Sequence, residues 1–325
     1  MYEWMEIRGF AQQTRRKVSL GGECCRHRRQ AAGSMMKRTV LFLCVGAAFL
    51  TLQSPVILAQ GGPPFRSDDP DTPGSNNWEI NVGFIGDRNP VAGTYATPNI
   101  DVNYGIGHRI QLKYELPLSI REIQGGNGHV AAGLGNSLLG VKYRFYAHHP
   151  KAKEKSPAGE RESNFGLSVY PQLLLNNPTR SVSREIAELG PQFLLPLEAN
   201  AKIGGIRISA EVGYWFTNRK VPNSWIRGVV VGHEFKRKQE LFLELYDQAD
   251  VKSTPADAHA RESTFGLGTR LPIATGESVR LIGMVGRSLV TVTPANGQPS
   301  WIAYVGVQFL VGAKRHSSDY IENGE

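Results

Sequence analysis

The chain has 325 residues, a net charge of +8 and a mean hydropathy of −0.28. That hydropathy excludes a bundle of transmembrane helices, each of which needs about 20 consecutive apolar residues. It does not exclude a membrane barrel, in which only alternate side chains meet lipid. Residues 1–60 carry +6 of the charge, so the basic balance belongs to the leader and gives no reason to expect a nucleic-acid partner.

The three cysteines, Cys24, Cys25 and Cys44, also lie in the leader, so the remainder has no disulfide, thiolate nucleophile or cysteine-ligated metal. From Met36 the chain reads as a secretory signal peptide. Lys37 and Arg38 form the positive start, Thr39 to Leu52 the apolar run, and Ala59 the small residue before cleavage. Residues 1–35 are basic, lack apolar periodicity and precede a complete signal peptide, which points to a start codon placed too far upstream. The expected division is therefore an extension over 1–35, a signal peptide over 36–59 and an extended N-terminal arm over 60–76. A β-barrel over 77–312 and a polar tail over 313–325 complete it.

The arm, GGPPFRSDDPDTPGSNN, is rich in Gly, Pro and Asp and carries no periodicity. After it, apolar and polar residues alternate almost to the end, the signature of half-buried strands. Trp78, Ile80, Val82 and Phe84 open the series, followed by strands around 100–104, 110–118 and 139–145. Weaker runs cover 164–175, 188–198, 225–235, 240–247, 263–271 and 278–286. Strong runs recur at 206–216 and 301–309. Twelve strands of this length fit an all-β, antiparallel up-and-down barrel that spans a membrane.

The polar face of these strands carries charges in mid-strand: Asp101, Lys113, Glu115, Lys142, Arg144, Arg207, Glu211, Glu244, Arg270 and Arg280. A closed barrel can turn such a face to its interior and its apolar face to lipid. These ten residues are the candidate lumen-facing charges, either bracing the barrel as a salt-bridge network or setting a field across a pore. Short connections (105–108, 199–204, 236–239, 273–278) alternate with long ones (86–97, 121–136, 176–187, 217–224, 248–262, 287–299), as in outer-membrane barrels. The long link 147–163 falls on the short side and makes the count of twelve the softest element. Trp78, Tyr104, Tyr143, Tyr146, Trp215, Trp225, Phe235, Tyr246 and Trp301 lie towards strand ends, where aromatic girdles meet the interface.

The segments GGPPFRSDDPDTPGSNNWEINVGF, PNIDVNYGIGHRIQLKYELPL, GLGNSLLGVKYRFY, SVYPQLLLN and LGPQFLLPLE resemble the outer-membrane proteins grouped under the phenol-degradation meta-pathway (MetA-pathway) transporter name. The resemblance runs over about residues 61–312. It implies an outer-membrane barrel that passes small molecules and transfers no catalytic or binding residue. The polar tail after Phe309 departs from barrels that end on an aromatic residue.

No histidine lies in a metal-binding pattern and no G-x-S-x-G elbow occurs, so neither a cofactor nor a metal is expected. A barrel phospholipase would need a serine beside His108 or His233, and the sequence places none with matching orientation. The chain is thus read as a non-enzymatic channel or transporter in the outer membrane, for a small solute that the resemblance makes hydrophobic or aromatic. The competing reading is a non-conducting structural or adhesive barrel, and a soluble lipid-binding β-protein comes third. The expected partners are outer-membrane lipid, the barrel-assembly machinery and the solute.

Overall fold

The structure, a computed structural model, describes residues 62–90, 92–123, 128–148, 164–203, 205–217, 222–235, 238–251, 261–273, 278–292 and 299–312. The chain divides into Met1–Thr51 and Leu52–Glu325, and all described residues belong to the second unit. The leader and the tail after Gly312 lie outside the described residues.

Fourteen strand segments follow in order: β1 (Asn77–Arg88), β2 (Ala92–Ile106), β3 (Ile110–Ile123), β4 (Val130–Leu134), β5 (Ser137–His148), β6 (Phe165–Val169) and β7 (Gln172–Leu175). The rest are β8 (Gln192–Ile203), β9 (Ile206–Phe216), β10 (Ser224–Glu234), β11 (Glu240–Asp250), β12 (Arg261–Pro272), β13 (Val279–Val292) and β14 (Trp301–Gly312). β4 and β5 both pair with β3 and form one wall strand interrupted at 135–136. β6 and β7 both pair with β5 and β8 and form another, interrupted at Tyr170–Pro171. The fourteen segments therefore make twelve wall strands, all antiparallel, and the pairing of β1 with β14 closes the sheet. The expected up-and-down barrel and its strand count are both borne out.

Closure satisfies the backbone. In hydrocarbon every N–H and C=O needs a partner within the protein, and a closed sheet leaves no edge. Period-2 alternation then sorts the side chains. In β11, Leu241, Leu243 and Leu245 are exposed on the outer face, whereas Glu240, Phe242, Glu244 and Tyr246 are buried inside. Prolines occur where the ladder yields: Pro98 lies in the register shift between Ala96 and Asn99 that bends β2.

The connections partly correct the sequence reading. Residues 86–97 form no long link, because β1 runs to Arg88 and β2 starts at Ala92. Cross-strand pairing simply continues past the point where alternation fades, down to Arg88 opposite Gly93. The opposite end of the barrel carries tight turns, among them 107–109 and the turn at Gly205, whose φ of +86° suits glycine. We call these two ends the loop end and the turn end. The link at 149–163 lies outside the described residues.

Two of the expected girdle aromatics are also misplaced. Tyr246 is buried on the inner face and Trp215 packs half-buried against Leu194, Ile226 and Tyr246. Parity explains both. Tyr246 is two residues from Glu244, and Trp215 is four from Glu211, so each shares its inward face.

Lipid-face substitutions should be costly at mid-wall. Leu243→Arg is expected to destabilise the barrel by about 2–4 kcal/mol, read as a lower urea midpoint in reversible unfolding from vesicles; an unchanged midpoint would contradict an outward, membrane-embedded Leu243.

Candidate functional site

A twelve-stranded barrel is wider than an eight-stranded one, whose own side chains fill it. Here part of that space is taken by the chain itself. Residues 62–76, the arm before β1, run inside the barrel and bond to wall strands on opposite sides. At the turn end Gly74 meets β2 so closely that a Cβ on Gly105 would overlap the Gly74 carbonyl. The Asn76 amide donates to Gly105 O at 2.9 Å, and the Asn77 side chain donates to Pro73 O at 2.8 Å.

From there the arm climbs through three anchors. Asp71 takes Arg144 on one oxygen at 2.9 Å and Arg207 on the other at 2.6 Å, and Asn200 also donates to it at 3.2 Å. Lys142 then binds Asp68 at 2.9 Å and the Asp69 carbonyl, while Glu198 lies 3.4 Å from the same ammonium. The third anchor reverses the polarity: wall carboxylates accept from arm amides. Glu211 accepts from Asp68 N at 3.1 Å, and Glu244 accepts from Ser67 N at 2.8 Å and Ser67 Oγ at 2.7 Å.

At its summit the arm turns back, with Phe65 N donating to Gly62 O and Gly62 N to Ser67 O, each at 3.0 Å. Phe65 enters an apolar patch of the inner wall made by Val230, Phe242, Ile282, Met284, Ile302 and Tyr304. Its ring meets Phe242 edge-on at 5.2 Å. Arg66 spans from the Tyr246 ring (5.0 Å) to Glu262 (3.2 Å), and Arg270 donates to Pro63 O at 3.1 Å while lying 3.6 Å from Glu240. A Cβ on Gly228 would collide with Ser67, so glycine there makes room for the arm.

All ten sequence-predicted charges lie on the inner face, and the structure divides them. Lys142, Arg144, Arg207, Glu211, Glu244 and Arg270 hold the arm. Asp101, Lys113 and Glu115 instead form a network within the wall: Lys113 lies 3.3 Å from Asp101 and 3.2 Å from Glu115, while Asn81 and Asn103 each donate to Asp101 at 3.1 Å. This network borders the arm across a polar cavity of about 10 Å³, room for roughly one water molecule. Arg280 of β13 lies 3.4 Å from Gln308, its cross-strand neighbour on β14.

Sequence reasoning missed the arm's own role, and with it Phe65, Ser67, Asp68 and Asp71, together with Glu198 and Asn200. A signal existed. The ten inner charges comprise six basic and four acidic residues, and the arm carries three aspartates against Arg66.

No protein-family model matches the chain, and no curated protein matches it. Among solved structures, an outer membrane channel from Pseudomonas putida F1 aligns with a TM-score of 0.55 at 12% identity, covering 76% of this chain and 99% of that one. The NanC porin aligns with a TM-score of 0.45 at 8% identity, covering 71% of this chain and 98% of that one. For the KdgM porin the values are 0.42 and 9%, with 71% and 98% covered. At 12% identity the likeness to the Pseudomonas channel is one of fold alone.

Removing one partner of a buried ion pair strands the other charge at a cost of about 3–5 kcal/mol. Asp71→Ala, which removes the carboxylate paired with both Arg144 and Arg207, should therefore release the arm. The expected readout is trypsin cleavage after Arg66 in the folded, heat-modifiable barrel at a rate well above the parent's. Equal resistance would show that Asp71 does not hold the arm.

Proposed function

We propose that this chain is an outer-membrane channel or transporter for a small solute, non-enzymatic, exported by the signal peptide at 36–59, and closed by its own N-terminal arm. The observation that carries the proposal is the arm seated in a closed, lipid-compatible barrel. A merely structural barrel needs no lumen wide enough to house fifteen residues of its own chain. The likeness in fold to a bacterial outer membrane channel supports the same reading.

The inner wall supports a hydrophobic or aromatic solute. Phe242, Ile282, Met284, Ile302 and Tyr304 line one side, and Leu194, Trp215, Ile226 and Tyr246 form a second apolar patch. Such surfaces favour apolar over hydrated solutes through the area they remove from water. The anchors of β8, β9, β11 and β12 are interleaved with these patches, and only Lys142 and Arg144 of β5 lie apart from them. Passage then requires the arm to shift, and the solute would compete with Phe65 for the apolar side.

A second reading, a non-conducting barrel, draws on the density of the arm's buried ion pairs, which favours permanent closure. The two are separated by locking the arm. Residues 61–325 contain no cysteine, and Ser67 and Gly228 are close enough for a disulfide after a shift of about an ångström. In planar bilayers the Ser67→Cys/Gly228→Cys protein should show no conductance steps when oxidised and recover them on reduction. Deletion of residues 62–72 should give larger steps than the parent. If parent, reduced lock and deletion are all silent, and liposomes carrying them take up no small aromatic solute, the transport reading falls.

A further inference from the structure

The outer face of the barrel is not uniformly apolar. At the turn end, outward positions of β11, β13, β14 and β1 are Leu241, Leu281, Phe309 and Trp78, as lipid contact requires. At the loop end the same wall carries arginines. Trp301 of β14 stands directly opposite Arg88 of β1 on one side and Arg287 of β13 on the other, so the three share one outward row. The Arg287 guanidinium lies over the Trp301 ring at 4.9 Å, and Trp301 itself is 61% exposed. Arg88 donates to Tyr95 at 2.8 Å and lies 3.2 Å from Glu122, its side chain still half exposed.

Three strands along, a second set repeats the arrangement. Arg227 of β10 faces Asp247 of β11 at 3.6 Å, and Arg261 of β12 donates to the same carboxylate at 2.8 Å. Two arginines share one acid there, a net positive charge among the described residues. Both arginines are more than half exposed. Each set thus has guanidinium groups held by a ring or a carboxylate, with further N–H donors on the lipid-facing side. Guanidinium is the side chain best shaped for bidentate binding of phosphate.

We propose that this loop-end rim, from β10 round to β1, binds the phosphate groups of an anionic lipid in the outer leaflet. The inference rests on the outer-membrane reading above and on the loop end facing outwards, as long connections do in such barrels. An outward arginine is tolerated near the interface and gains less from a zwitterionic headgroup, whose single phosphodiester charge is offset by its own cation, than from an anionic one. A phosphate at that depth supplies charge-assisted hydrogen bonds to groups already positioned for it.

The test uses the mature chain refolded into phosphatidylcholine vesicles, then titrated with bisphosphorylated lipid A, with the same lipid after phosphatase treatment, or with inorganic phosphate. Lipid binding is followed by native mass spectrometry and by the heat-modifiability midpoint. The phosphorylated lipid should bind and raise the midpoint, and the treated lipid should not. Arg88→Gln/Arg287→Gln and Arg227→Gln/Arg261→Gln should each weaken binding by at least about tenfold, the effect of losing even one of the two charge-assisted hydrogen bonds that each pair supplies. If a variant does not fold, the parent's discrimination between the two lipids decides. Equal binding of both lipids, or full stabilisation by inorganic phosphate, overturns the proposal while leaving the barrel reading intact. Failure of the parent to insert into neutral vesicles overturns both.

Discussion

The pairing of every backbone N–H and C=O within the wall governs the rest of this molecule. Hydrocarbon offers no hydrogen-bond partner, so a sheet can cross it only when its first and last strands pair. β1 and β14 do so over their full length, from Asn77 opposite Gly312 to Arg88 opposite Trp301. Closure at twelve strands sets the bore, and period-2 alternation then sends each mid-strand charge inward. Those charges need partners, because a buried ion left unpaired costs several kcal/mol, roughly, even after relaxation.

The arm answers that need. It brings Asp68 and Asp71 to Lys142, Arg144 and Arg207, and it brings backbone amides to Glu211 and Glu244. The two kinds of anchor are complementary. Carboxylates of the arm meet cations of β5 and β9, and amides of the arm meet carboxylates of β9 and β11. Phe65 adds an apolar hold against β10, β11, β13 and β14. The docking of the arm in the lumen is therefore a consequence of the mid-strand side chains that parity turns inward.

Much of this was legible in the sequence, for a physical reason: alternation with period 2 records which residues meet lipid and which do not. All ten mid-strand charges could be assigned to the inner face by parity alone. The same rule, applied consistently, would have turned Tyr246 and Trp215 inward with Glu244 and Glu211. The arm's destination was not legible from periodicity, because Gly62 to Asn76 has none. Its hold depends on pairings such as Arg66 with Glu262, nearly two hundred positions apart. Strand continuation through 86–97 was likewise hidden, since cross-strand pairing there persists without clean alternation. The proposed apolar solute would leave no motif, because apolar contact is non-directional.

The claim on which the account turns is that residues 62–76 lie docked within a closed barrel in the membrane. Amide hydrogen exchange on the mature protein in bilayers tests it residue by residue. The amides of Arg66, Ser67 and Asp68, each bonded to a wall carboxylate, should be protected to a degree approaching that of the β11 ladder. Exchange of those three amides at the rate of an unstructured chain, with the β11 ladder still protected, would contradict it.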